Sequence, residues 1–182
     1  TFAGSIQNTG GGAVSLIKTG SGTLTLTGNS TYTGTTTLAQ GTVLLDYANS
    51  PGKLPNILPV SALTIGSATL NVTGNTIANS QTFTSTTLSG GGFVTLAGTT
   101  PALTVNLGAI TRTASTGATL NVTLVSPGVV TTTTANNAAG ILGGHVTVGG
   151  VDWATVNALG NIVAYSAYTG TLPTAATTDT TG

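Results

Sequence analysis

The 182-residue chain has no cysteine, no methionine and no glutamate, and its charge is confined to Lys18, Lys53, Arg112, Asp46, Asp152 and Asp179. Each absence excludes something. Without cysteine there are no disulfide staples, thiolate chemistry or cysteine metal sites. Without a basic patch, nucleic acid is a poor partner, because its binding rests on lysine and arginine contacts to phosphate. Chemistry that needs clustered carboxylates has almost nothing to work with, and the formal net charge of zero removes the repulsion that keeps copies apart. Self-association is therefore the expected tendency. Mean hydropathy is positive, yet no apolar run approaches the roughly 18 residues a membrane helix needs. A chain opening on Thr1 and lacking methionine is expected to have had a signal peptide removed or to continue beyond these residues.

What is present is threonine, glycine and aliphatics in alternation. Thr23-Leu-Thr-Leu-Thr27 places its leucines on one face and its hydroxyls on the other, with Leu38, Val43 and Leu45 as further inward positions. Threonine suits such strands because it is β-branched for the pleat and polar for water. A similar phrase returns at Thr69-Leu-Asn-Val-Thr73 and Thr119-Leu-Asn-Val-Thr123. Recurrence of this kind predicts an all-β repeat architecture, a β-solenoid or a stack of β-strand modules.

The pattern divides the chain into a β-strand repeat unit over 1–45, a proline-rich loop leaving the stack over 46–59, further rungs over 60–134, a C-terminal cap region over 135–170 and a linker or tail over 171–182. Residues 1–15 read as one or two strands broken by glycine. Residues 135–142 read as a short helical turn or a loop. Aromatic weight gathers where the stack would need closing, at Trp153, Tyr165 and Tyr168, and predicts an aromatic cap.

His145 and Asp152, with a nearby serine, are the one pair that suggests an acid and a base, but three scattered aspartates do not supply a hydrolase site. Gly149-Gly-Val-Asp152 echoes a calcium-binding β-roll phrase once and without the repetition such sites require. The expectation is therefore no enzyme, no cofactor and no metal. Tyr32, Tyr47, Trp153, Tyr165 and Tyr168 are core or cap residues, or platforms for sugar rings. The Thr-x-Thr pairs at 23/25, 31/33, 35/37, 82/84 and 111/113 suggest ice binding only if they align on one flat face.

Residues Phe2 to Leu45 resemble the autotransporter-associated β-strand repeat, also called the passenger-associated transport repeat, found in large surface proteins of bacteria with an outer membrane. The resemblance is carried by Lys18, Thr19, Gly20, Gly22, Leu24, Leu26 and Gly28, then Tyr32, Gly34 and Thr36, then Gly41, Thr42 and Val43. Asn29-Ser-Thr31 before the tyrosine departs from the family's usual spacing. The resemblance implies a right-handed β-solenoid passenger segment at the bacterial surface or in the extracellular space, serving as stalk, fibre or adhesin, with no catalytic residue. Taken together, these readings predict a structural module that self-assembles with copies of itself into a fibre, sheath, surface layer or biofilm matrix. The alternative is an adhesin segment holding a glycan or cell surface through Trp153, Tyr165 and Tyr168, and ice binding is a third reading.

Overall fold

The computed structural model describes residues 1–50, 56–98, 103–125 and 127–168. Among them there is no helix, and the backbone forms a β-solenoid of about five turns. Three strips of parallel strands make its walls. The first strip stacks β1 (Leu16–Lys18), the leading half of β3 (Thr36–Asp46), the leading half of β4 (Ala62–Thr73), β6 (Ser85–Leu88) and β9 (Ala109–Arg112). The second stacks β2 (Thr23–Leu26), the trailing halves of β3 and β4, β7 (Gly91–Ala97), β10 (Thr119–Thr123) and β12 (Val146–Val148). The third consists of β5 (Asn79–Thr82), β8 (Leu103–Asn106) and β11 (Val129–Thr131).

Strand alternation sends every second side chain inward, and the parallel register places equivalent residues above one another. One inward file runs Leu24, Val43, Leu70, Val94, Val122 and Val148. A second runs Leu26, Leu45, Val72 and Leu96, and a third runs Leu38, Ile65 and Leu88. Most of these side chains are fully buried. At about 25 cal/mol per Å² of apolar surface removed from water, each buried aliphatic contributes roughly 1.5–3 kcal/mol, so the dry files are the main source of cohesion.

The register also explains the recurring phrase. Thr23 pairs with Thr42, Thr42 with Thr69, Thr69 with Phe93, and Phe93 with Asn121. Thr23 and Thr69 are thus two turns apart, and the turn between them carries Thr42-Val-Leu-Leu in the same places. The phrase at Thr119 sits two residues out of register with that at Thr69. The slip keeps the same residues facing inward because the side-chain period is two.

Two local expectations change. Residues 1–15 form no strand, only a single bridge from Phe2 to Leu26. Asn8 holds the segment instead: its Oδ1 accepts from Val14 N (2.9 Å) and Thr33 N (3.2 Å), and its Nδ2 donates to Thr33 Oγ1 (2.8 Å). The proline-rich segment also does not simply leave the stack. Residues 51–55, with Lys53, lie outside the described residues, but Ile57 and Leu58 are fully buried. Ile57 O accepts from Ser30 N (2.9 Å), and the Gln81 amide accepts from Ile57 N and Leu58 N (3.2 and 3.1 Å) and donates to Leu58 O (3.1 Å). A segment without a strand thereby fills the third wall of its turn, its backbone satisfied by a buried side chain.

Candidate functional site

The repeat-motif residues converge on the first two turns. Lys18 Nζ donates to the carbonyls of Thr19 and Gly20 (both 2.7 Å) and of Gln40 (3.2 Å), fastening the corner loop of one turn to the strand of the next. Gly41 lies at that corner with φ +74°, and any Cβ there would collide with the carbonyl oxygens of Gly20 and Gly22. Glycine is therefore obligatory at this position. Gly34 is excluded from substitution differently, by the close passage of Val14 and Ser15, to which it is tied through Gly34 N→Val14 O (2.9 Å). Gly28 lies equally close to the backbone of Ala3 and Gly4. Leu26 is buried and Leu24 partly so. Tyr32 is buried with its hydroxyl on Thr36 Oγ1, and burial raises its pKa against the lowering effect of that hydrogen bond. Nothing in the structure explains Gly22, which faces open space.

The five aromatics considered for sugar binding separate into two groups. Tyr32 and Tyr47 are core residues. Tyr47 donates to Ser80 O (2.7 Å), and burial holds its phenol well above the ordinary range. Trp153, Tyr165 and Tyr168 come together at the far end.

That end is built by a change of strand direction. β12 still stacks in parallel on β10, but β13 (Asp152–Val156) returns antiparallel to β12, and β14 (Ile162–Ala164) returns antiparallel to β13. Asn161 then bridges to Thr131 at the end of β11, so the sheet crosses the end of the solenoid from the second wall to the third. The side chains that close the core there are aliphatic: Leu142, Val146, Ala154 and Ile162 are all buried. The aromatic weight expected to cover the end lies on its outer surface. Alternation along β13 turns Ala154 inward and Trp153 outward, leaving the indole 42% exposed.

Residues 135–142 are a loop of turns with no helix. Asn136 pairs with β13 as a strand would, donating Nδ2 to Val156 O (2.9 Å) and accepting from Val156 N at Oδ1 (2.8 Å). Asn137 closes the next turn by accepting from Ala139 N (2.9 Å) and Ile141 N (3.2 Å). Asn157 repeats this with Leu159 N and Asn161 N (3.0 and 3.1 Å). The paired phrases Asn137-Ala-Ala-Gly140 and Asn157-Ala-Leu-Gly160 carry the signal for both turns, a side-chain oxygen followed by a positive-φ glycine.

Between the first of these turns and β13 lies a recess of about 360 Å³ lined by Ala139, Ile141, Trp153, Tyr165, Ala167 and Tyr168. Tyr165 and Tyr168 meet edge to face, with centroids 5.2 Å apart and planes at 87°. The backbone N of Trp153 donates to the Tyr168 hydroxyl (3.0 Å), and Tyr165 N donates to Trp153 O (2.8 Å). Ala139 and Ile141 were not singled out in the sequence, since small and aliphatic residues in a loop carry no chemical signature.

The other candidate constellations do not assemble. Among the described residues His145 and Asp152 share no hydrogen bond, and no group of His, Asp or Glu is placed to hold a metal ion. Burial, and then the Arg112 guanidinium, hold His145 below its ordinary value. On the second wall neither threonine file is continuous, one being interrupted by Phe93 and Asn121 and its neighbour by Leu44 and Asn71. On the first wall Thr37, Thr64, Thr87 and Thr111 stack in one unbroken file, but the file beside it runs Ala62, Ser85 and Ala109, so no pair of threonine files forms a flat face. No helix among the described residues is long and apolar enough to cross a membrane.

The Passenger-associated-transport-repeat family model matches residues 16–45, the span that holds the Lys18 corner, Tyr32 and Gly41. Over 130 residues, 69% of this chain, the sequence is 39% identical to the "Adhesin BmaC autotransporter" of Brucella suis biovar 1 (strain 1330). That stretch is 4% of the Brucella protein, so this chain spans a small part of its relative. No solved structure matches. The β-solenoid, the motif seated at its first corner and this relative agree: the chain is an autotransporter-associated repeat protein, belonging outside the cell or on the outer surface of a Gram-negative bacterium.

Proposed function

We propose that the chain is a passenger segment of an adhesin, a stiff surface rod that makes contact with a cell or matrix through its outward side chains. The observation that carries this reading is the closed end of the solenoid: the core is sealed by aliphatics while Trp153 and Tyr168 stand half out of it. Half-exposed aromatics that stand outside the buried core of a rigid scaffold are suited to contact. The relative's printed name, an adhesin, supports the same reading. Its walls are stabilised by buried files and its faces are hydroxylated, which suits a spacer and supplies no acid and base pair for catalysis.

The test is attachment. Beads coated with the full chain are expected to bind mammalian epithelial cells or extracellular matrix above the level of beads carrying an unrelated protein of similar charge. Equal retention of both kinds of bead would reject the adhesin reading.

Assembly of copies into a fibre is a second reading, supported by the zero net charge and by the edge of β1, where Ile17 is exposed. It predicts sedimentation coefficients that grow with concentration and filaments in negative stain. Monodisperse particles across salt and concentration would exclude it.

A further inference from the structure

The geometry points to a binding site for a neutral hexopyranose ring in the recess between Trp153, Tyr165 and Tyr168, an inference that rests on the adhesin reading and names the ligand of its exposed end. Three features converge. The first is aromatic surface held in place: Trp153 is 42% and Tyr168 53% exposed, yet each is anchored, Trp153 by the β13 backbone and Tyr168 by its hydroxyl accepting from Trp153 N (3.0 Å). Sugar rings present C–H groups on one or both faces, and these carry partial positive charge that matches the negative face of an aromatic ring.

The second feature is uncommitted polarity. Among the described residues the indole N–H of Trp153 and the hydroxyl of Tyr165 make no hydrogen bond, although both belong to residues lining the recess. An indole N–H only donates, whereas a phenol both donates and accepts, so together they offer what a ring of hydroxyls requires. The third feature is the absence of charge. All six lining residues are uncharged, and Asp152, next to Trp153 in the strand, alternates to the Ala154 side. A uronic acid or sialic acid would find no cation there, so the site selects a neutral ring. A volume of about 360 Å³ is at the small end for ligand pockets, which fits one or two pyranose units of a longer glycan.

Two other hollows of similar size do not combine these features. One is lined by Tyr47, Ala48, Ser50, Gly74, Asn75, Thr76 and Gly98, with Tyr47 buried; the other has Leu124, Pro127, Gly128 and Val129 beside β14 and no aromatic ring.

The chain has a single tryptophan, so indole emission, excited at wavelengths beyond the tyrosine band, reports this site alone. Titrating the full chain with cellotetraose, chitotetraose or β-1,4-galactotetraose is expected to give a saturable change in emission with at least one of them, and none with tetragalacturonate. In calorimetry Tyr168→Ala is expected to weaken binding about 10-fold, the loss of one stacking face at roughly 1.4 kcal/mol. Trp153→Ala should abolish binding, while Trp153→Phe retains part of it; circular dichroism of each variant checks that the walls remain. The site is refuted by the absence of saturable change with every neutral probe, by equal affinity in Tyr168→Ala and the parent, or by preference for the acidic probe. Beads carrying the Trp153→Ala chain separate this from the parent reading. Undiminished attachment would remove the recess and leave the adhesin, whereas failure of the unsubstituted beads would remove the adhesin whatever the titration gives.

Discussion

The stacked walls and the closing hairpins of this chain solve the same problem by opposite means. In the walls, every strand lies parallel to the one before, and the outward backbone edge is satisfied by the next turn; the solution is repetition, and it leaves an edge wherever repetition stops. After β12 the parallel stacking gives way. β13 and β14 run antiparallel, Asn136 supplies the hydrogen bonds of a missing neighbour, and the core is sealed by Leu142, Val146, Ala154 and Ile162. Large aromatic side chains are not needed for closure once the strand direction changes, which releases them to the surface. A solenoid's end can therefore carry chemistry that its middle cannot.

The contrast can be broken most severely in the walls. Val94→Asp puts a charge into the centre of the longest inward file, with buried neighbours on both sides. Its cost exceeds the several kcal/mol that hold a domain of this size together. The β signal in circular dichroism is expected to collapse along the whole length; a variant that keeps its spectrum would show that turns fold independently.

Next is Gln81→Ala. It strips the partners from Leu58 N and Leu58 O, both held in a buried environment, while Ile57 N keeps the Tyr47 hydroxyl (3.3 Å). At about 1–3 kcal/mol for each of the two orphaned groups, the expected loss is about 2 kcal/mol or more, read as a lower urea midpoint at unchanged slope.

Asn136→Ala sharpens the comparison from the other side, because it removes three hydrogen bonds that serve the cap alone, to Thr155 Oγ1, Val156 O and Val156 N. About 1–2 kcal/mol is expected. Hydrogen exchange should speed up at Val156 while the amides of Leu70 in β4 and Val94 in β7 remain protected. Uniform acceleration would mean that cap and walls open as one unit.

The smallest effect is that of pH. His145 is the sole histidine, and its folded-state pKa lies below the ordinary 6.5 because burial and Arg112 disfavour its charge. The unfolded chain therefore takes up the proton first. Stability is full above about 6.5 and declines as pH falls through the lowered folded value. A decrease in Tm of about 1–2 °C between pH 7.5 and pH 5 is expected, and His145→Asn should flatten it. A slope that persists in the variant would assign it elsewhere.

The walls were legible in the sequence because inward residues such as Val43, Leu45, Leu70 and Val72 obey a period of two that survives without knowledge of partners. Phe93 and Val60 broke the rule that apolar means inward, since each falls at an outward or corner position fixed by neighbouring turns. The turn length was hidden, because Thr-Leu phrases mark alternate turns while Thr42 and Phe93 occupy the turns between. The burial of Ile57 and Leu58 was equally hidden: it depends on Gln81, a residue distant in sequence whose side chain takes a backbone role. At the recess, the three aromatics were visible as a cluster in the chain. That they face outward follows from the antiparallel return of β13, which no local pattern announces.

The Lys18 corner has a consequence for length. Because an ammonium held by carbonyls of two successive turns fixes their relative height without any contact to the closing hairpins, the spacing between corner and hairpins is set by the number of turns between them, in steps of about 4.8 Å. Length in such a wall is thus an adjustable quantity, counted in turns, while the corner keeps its own contacts.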